Sequence, residues 1–296
     1  QMTLAPRRIM LAAMSALPQL PKCRFADGTL VPALGQGTWR MGELPERAGA
    51  EVDALVAGIE LGMTLIDTAE MYGDGGAERV VGRAIRGRRD GVFVVSKAYP
   101  QHAGRKSLVA ACERSLARLG TDRLDLYLLH WRGGIELEET VAAFDQLARA
   151  GKILRWGVSN FDASDLTELV AVDGGDGCAT NQVCYHLGAR GIEWDLLPWM
   201  RARAMPLMAY SPFSQGDLLG DPRLREVVRR TGRTAAALAL AWVLRTPDVI
   251  AIPQSCDVGH LRGNCAAALA GQDDALAAAL DAAFPPPRKA TPLTVL

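Results

Sequence analysis

The 296-residue sequence has no excess of charge: 33 Lys and Arg balance 33 Asp and Glu, so no net field exists to gather nucleic acid or an anionic membrane surface. Neither partner is expected. Past the first 20 residues it has no run approaching the roughly 20 apolar residues that a membrane helix needs. Its six cysteines, Cys23, Cys112, Cys178, Cys184, Cys256 and Cys265, form no CxxC pair and no zinc spacing with the four histidines. Reduced, buried thiols in a cytoplasmic protein are expected, and no metal. Absent too are a GxSxG elbow, an HExxH motif and a close carboxylate pair, so acyl transfer, zinc hydrolysis and glycoside cleavage lack their usual residues. The stretch GDGGAE (73–78) has neither GxGxxG spacing nor a P-loop lysine. It reads as a turn entering a helix.

What is present is the composition of an ordinary folded chain, 49% hydrophobic and 22% charged. The opening PRRIMLAAMSALPQLP sets two arginines before a short apolar run that Pro18 stops. We read residues 1–22 as a disordered extension, native or a tag remnant, with a weak export signal as the alternative. Residues 23–296 then form one domain.

From about residue 34, short apolar runs alternate with segments of helical spacing. The runs are LGQGTW (34–39), TLIDTA (64–69), VFVVSKA (92–98), LDLYLLH (124–130), ILRWGVSN (153–160), ATNQVCY (179–185), PLMAYSP (206–212) and VIAIPQS (249–255). Between them Val52, Leu55, Val56 and Ile59 share a helix face, as do Leu108, Ala111, Cys112, Ser115, Leu116 and Leu119. Val141, Phe144 and Ala148 mark a third helix. Further helices are expected around Leu166, Leu196 and 234–244. Strands separated by helices run parallel through right-handed crossovers, and eight such units close a barrel more readily than an open sheet. The fold class is α/β, a single (β/α)8 TIM barrel. Asp27-Gly28 between two apolar pieces predicts an N-terminal β-hairpin plug, and 258–269 and 275–283 predict extra C-terminal helices.

In such a barrel the chemistry sits at the carboxyl ends of the strands. There the sequence places Asp67 and, just beyond it, Tyr72; Lys97 ends the third strand and His130 the fourth. A phenol is a poor acid at neutral pH, and a nearby ammonium lowers its pKa. Lys97 would supply that push, Asp67 would hold the ammonium, and His130 would donate to the oxygen that Tyr72 protonates. Each residue also has a structural reading, as a turn cap, a rim aromatic, a snorkelling lysine or a core histidine.

The ordered motifs LIDTAEMYG, VVSKA, LDLYLLHW, WGVSNF, NQVCYH, AYSPF and AIPQS resemble those of the aldo-keto reductase family, over nearly the whole chain from Arg24. The resemblance implies NAD(P)H-dependent reduction of aldehydes or ketones. It makes Asp67, Tyr72, Lys97 and His130 the catalytic tetrad, with Tyr72 the proton donor. It also implies cofactor contacts from Gly37, Thr38, Trp39 and Asp67. Ser159, Asn160 and Gln182 would bind the nicotinamide carboxamide, and Tyr210 would stack on its ring. Ser211, Pro212, Phe213, Gln215 and Leu218 would cover the pyrophosphate. At the adenosine end the expected contacts are Ile252, Pro253, Gln254, Ser255, His260 and Asn264. Here the chain departs from the family's commonest pattern, which has Lys where Gln254 stands and Arg where His260 stands. NADPH is the expected cofactor with NADH possible, and Arg262 is either a substitute cation or a solvated helix residue.

For the substrate, Trp39, Tyr72, Tyr99, His130 and Trp131, with Tyr185 or His186 as further candidates, predict an aromatic pocket without a cationic clamp. A small-molecule carbonyl partner of the methylglyoxal or arylaldehyde kind suits it, and the short tail after Phe284 leaves the mouth open. The chain is expected to act as a monomer. An NADPH-binding regulatory subunit with slow turnover is the alternative; a Schiff-base role for Lys97 is disfavoured by the neighbouring acid.

Overall fold

In the computed structural model, which describes residues 19–296, each of the eight apolar runs contains a strand. After a hairpin of β1 (Lys22–Arg24) and β2 (Leu30–Pro32) come β3 (Gln36–Gly37), β4 (Leu65–Asp67), β5 (Phe93–Ala98) and β6 (Leu126–Leu129). The remaining four are β7 (Trp156–Ser159), β8 (Asn181–Cys184), β9 (Leu207–Tyr210) and β10 (Val249–Ala251). β3 to β10 lie side by side in chain order, every pair parallel. The ring closes through the parallel bridges Leu34–Ala251 and Gly37–Gln254, so the expected (β/α)8 barrel is present.

The helices are α1 (Ala48–Glu60), α2 (Gly76–Ala84), α3 (Arg105–Leu119), α4 (Leu137–Arg149), α5 (Ala163–Ala171), α6 (Leu196–Arg201), α7 (Pro222–Thr231), α8 (Ala235–Val243), α9 (Val258–Ala270) and α10 (Asp274–Ala283). α3 buries all six residues expected to share its inner face. In α4 Leu147 rather than Ala148 completes the stripe. α9 packs between α8 and α1 and takes the eighth barrel position. The extra helices are therefore α7, which the sequence reading lacked, and α10, which packs on it.

The hairpin plugs the barrel. Its turn at Asp27-Gly28 has Gly28 at φ 88°, where a side chain would be strained. Cys23, Phe25, Val31 and Ala33 pack on Leu65, Val95, Leu126, Leu128, Met208 and Ile250 inside the ring, which closes the end opposite the strands' carboxyl termini. Leu20 is buried and the Pro21 carbonyl accepts the Ala33 N–H at 2.7 Å, so residues 20–22 belong to the packed chain rather than to an extension. The expected disorder and export signal of the earlier residues lie outside those described.

The thiols of Cys23, Cys112, Cys178 and Cys184 are buried and pushed up to about 12 by burial, and Cys265 is buried with them. Cys256 is partly exposed. No helix among the described residues is long and apolar enough to cross a membrane, and no cluster of His, Cys, Asp and Glu among them is suited to a metal.

Candidate active site

The floor of the barrel mouth is built by two neighbouring strands. Asp67 ends β4 directly beside β5, whose next inward position is Lys97. Lys97 is wholly buried, and its ammonium donates to Asp67 Oδ2 at 2.7 Å, Thr68 O at 3.0 Å and Tyr72 Oη at 3.1 Å. All three of its protons are thereby placed. Burial alone would lower its pKa, but the Asp67 carboxylate and Tyr72 outweigh it and hold the group above the ordinary lysine value. A permanently charged lysine is a poor Schiff-base nucleophile. The other oxygen of Asp67 accepts from Gln182 Nε2 at 2.7 Å, while the Asp67 main-chain carbonyl accepts from Thr38 Oγ1 at 2.9 Å.

Tyr72 reaches this floor from the turn after β4. That turn packs closely on the chain at Met41–Gly42: a Cβ at Gly76 would lie 2.3 Å from the Gly42 carbonyl oxygen. The GDGGAE stretch is thus a tight structural turn. The phenol does not follow the expected direction. Burial, joined by the Asp67 charge, raises its pKa more than the Lys97 ammonium lowers it, so the net shift is upward. The group stays protonated at neutral pH, with Lys97 placed to favour the anion once the proton leaves.

His130 follows β6 and meets Tyr72 edge-on at 5.8 Å between ring centres. Burial, reinforced by the Lys97 charge, pushes its pKa down to about 3, so it is a neutral imidazole over the working range. Its Nδ1 is buried with no partner among the described residues. Away from the site, burial also lowers His186 to about 4. Both folded-state values lie below the ordinary 6.5. The contribution of these groups is therefore full above that pH and is lost as pH falls, because the unfolded chain takes up protons first. Urea unfolding at about pH 5 should show roughly 2 kcal/mol less stability per histidine than at about pH 7.5. A His186→Gln chain should lose correspondingly less over the same interval; an equal loss would contradict this.

Above the floor a cavity of about 1160 Å³ runs across the mouth. At one end it is walled by Trp39, Met71, Tyr72, His130 and Trp131. In its middle Ser159 donates to the Gln182 carbonyl at 2.7 Å, and Asn160, at φ 58°, donates to the His130 carbonyl at 3.1 Å. Tyr210 Oη donates to Asn160 Oδ1 at 2.9 Å. Gly37, Thr38, Asp67 and Gln182 face the same space, as do Ser211, Pro212, Phe213 and Gln215. The far end is bounded by Ile252, Pro253, Gln254, Ser255, His260 and Asn264.

Six of the residues singled out from the sequence are placed elsewhere. Lys97 lies beneath the floor and meets the cavity through Asp67 and Tyr72, which line it. Tyr99 stands outside the wall, edge-on to Trp131 at 6.0 Å. Leu218 is buried, and Leu219 lines the cavity in its place. The loop before it holds Ser211, Ser214, Gln215 and Gly216 in left-handed conformations, which breaks any periodicity. Tyr185 is fully buried and gives its hydroxyl to Glu193 at 2.7 Å. Neither His186 nor Arg262 lines the cavity.

Several cavity residues were not found by sequence reasoning. Arg40 lies over the Trp39 ring at 4.2 Å, and Arg132 pairs with both oxygens of Glu168. The mouth therefore does carry cations, each next to an aromatic already singled out. Val295 and Leu296 also line the cavity, so the tail borders the mouth rather than leaving it open. At the far end lie Thr234, Ala236 and Ala237 at the start of α8, and Gly259 and Gly263 on α9. Two helix N-termini, with capping side chains Thr234 and Asp257, thus face one region, an arrangement that favours anions.

Comparison with known proteins gives a consistent result. The aldo/keto reductase family model matches residues 33–283. Methylglyoxal reductase YeaE of Escherichia coli (strain K12) is 51% identical over 278 residues, covering 92% of this chain and 98% of that protein. Two crystal structures of aldo/keto reductase from Klebsiella pneumoniae, one in complex with NADP and acetate and one with NADPH, are 49% identical to this chain. Their TM-scores are 0.90 and 0.91, with 94% of this chain and 100% of each of theirs covered.

Proposed function

The chain belongs to the aldo/keto reductase family, and we propose that it reduces small and medium aldehydes and dicarbonyls, of the methylglyoxal or arylaldehyde kind, with NADPH. The observation that carries this reading is the buried Asp67–Lys97–Tyr72 chain, which delivers a protonated phenol to the floor of a large cavity. The names of the relatives support the substrate class and the cofactor.

The residues present fit a dinucleotide. The cavity has the volume for one beside a small carbonyl compound, and two helix N-termini with Ser255, His260 and Asn264 suit its phosphates. Ser159, Asn160 and Gln182 would fix the nicotinamide carboxamide, and the Tyr210 ring would support the nicotinamide face. Arg40 and Ser211 to Gln215 flank the span between. When bound, the reduced nicotinamide supplies a hydride to the carbonyl carbon.

The chain's own groups do the rest. Tyr72 gives its proton to the carbonyl oxygen, and the phenolate left behind is stabilised by the Lys97 ammonium 3.1 Å away. Asp67 keeps that ammonium in place. His130, uncharged, donates a hydrogen bond to the same oxygen. Trp39, Met71 and Trp131 pack on the substrate's apolar part and exclude water.

Gln254 offers no charge to a 2′-phosphate, and histidine is not a fixed cation. Gln254→Lys is therefore expected to tighten NADPH binding about tenfold, the worth of one charged hydrogen bond, and to leave NADH binding unchanged. Fluorescence titration with both cofactors checks it; parallel changes for the two would show that Gln254 does not face the 2′ position. The reaction itself is tested by following reduced-nicotinamide absorbance against a panel of aldehydes. No consumption with any of them, despite tight cofactor binding, would overturn the reductase reading.

A further inference from the structure

Between Asp67 and Tyr72 the chain carries one more acid, Glu70, whose carboxylate is buried beside the floor but points away from the cavity. Its surroundings are specific. Beyond the last residues of β4 and β5 the parallel ladder continues, with Thr68 N–H to the Val95 carbonyl at 2.9 Å and Glu70 N–H to the Lys97 carbonyl at 3.3 Å. The next bond of that ladder, from Tyr99 N–H, ends instead on Glu70 Oε1 at 2.9 Å. The same oxygen meets His102 Nδ1 at 2.7 Å, and Oε2 faces Arg114 at 3.7 Å. Here the chain is already turning, since Tyr72 N–H bonds the Ala69 carbonyl at 3.1 Å. A side-chain oxygen thus takes over pairing where the main chain has left the sheet.

We propose that Glu70 is a positioning residue for the proton donor: its carboxylate pins the Tyr72 turn to the segment carrying Lys97, and through Tyr99 it also sets the Trp131 wall. The inference rests on the reductase reading above. The Tyr72–Lys97 contact joins two segments that, past the strand ends, are held together by few bonds, and Glu70 makes one of these with its main chain and one with its side chain. Tyr99, whose N–H it holds, stands edge-on to both His102 and Trp131 at 6.0 Å. One carboxylate therefore fixes the acid and one side of the pocket in a single frame.

The test compares Glu70→Ala, Glu70→Gln and the unaltered chain. Loss of the clamp should lower kcat for methylglyoxal about tenfold to a hundredfold in the alanine variant, as sub-ångström to ångström displacement of reacting groups does, with NADPH affinity unchanged. The carboxamide oxygen of Glu70→Gln still accepts the Tyr99 N–H, so most of kcat should return. A second readout needs no turnover. Ultraviolet titration of Tyr72, isolated by subtracting the Tyr72→Phe protein, should move to higher pH in Glu70→Ala, because a looser Lys97 favours the phenolate less. In Glu70→Gln it should stay near its original position. An unmoved titration, or a loss of kcat equal in the two variants, overturns the proposal. A moved titration in a protein that consumes no NADPH would support the clamp and count against the reductase reading alone.

Discussion

Replacing Tyr72 by phenylalanine is expected to lower kcat for methylglyoxal reduction by about a thousandfold, the range lost with a positioned general acid, while the NADPH dissociation constant stays within a factor of about two. The substitution keeps the ring that packs edge-on to His130 and removes only Oη. Lys97 retains its bonds to Asp67 and Thr68, so the floor keeps its charge balance and the fold its stability. What disappears is the proton at the carbonyl oxygen. The neutral His130 donor and the Lys97 charge remain to polarise the substrate, which is why residual turnover is expected. Thermal unfolding of the variant should match the parent; a large drop in stability would assign the phenol a packing role instead.

The second large effect concerns Lys97. Lys97→Met leaves the Asp67 carboxylate, 2% exposed, with Gln182 as its one side-chain donor. Breaking a buried pair in this way costs about 3–5 kcal/mol. The double variant Lys97→Met/Asp67→Asn, which removes both charges, should regain most of that stability but none of the activity. The pH dependence has a definite sign. Because the folded-state pKa of Lys97 lies above the ordinary 10.5, its contribution is full below that value and is lost only as pH rises through the folded-state value. The stability difference between parent and single variant should therefore be the same at neutral pH and about two units higher. Equal stability of parent and Lys97→Met would show that the ammonium is not what neutralises Asp67.

The barrel was legible because each strand lies in a short apolar run set off from the next by a segment of helical spacing, as VFVVSKA (92–98) is. Helix faces read well where a stripe is continuous, as in α3. α7 was missed because Leu224 and Val227 are set among Arg223, Arg225, Arg229 and Arg230, although Asp221-Pro222 is a good helix start. Within the site, residues on the strands themselves were readable, since alternation fixes which side chains face inward. Tyr99 was not, because it lies just past the end of β5, where alternation no longer applies. Nor was Leu219, one step from the residue expected, beyond a loop of left-handed residues. Val295 and Leu296 reach the mouth from the far end of the chain, with no local signal. The direction of the Tyr72 shift was out of reach for another reason: the contest between burial and the Lys97 charge is decided by depth, which a sequence does not state.

Carbonyl reduction with Tyr72 as the acid is reached directly by one absorbance experiment. The protein is mixed with NADPH and methylglyoxal, the loss of reduced nicotinamide is followed, and the same trace is taken for Tyr72→Phe with NADPH binding measured in parallel. Consumption by the parent that falls about a thousandfold in a variant still binding the cofactor is the expected result. Equal rates for the two proteins would contradict Tyr72 as the acid, and no consumption by the parent despite binding would contradict the reductase itself.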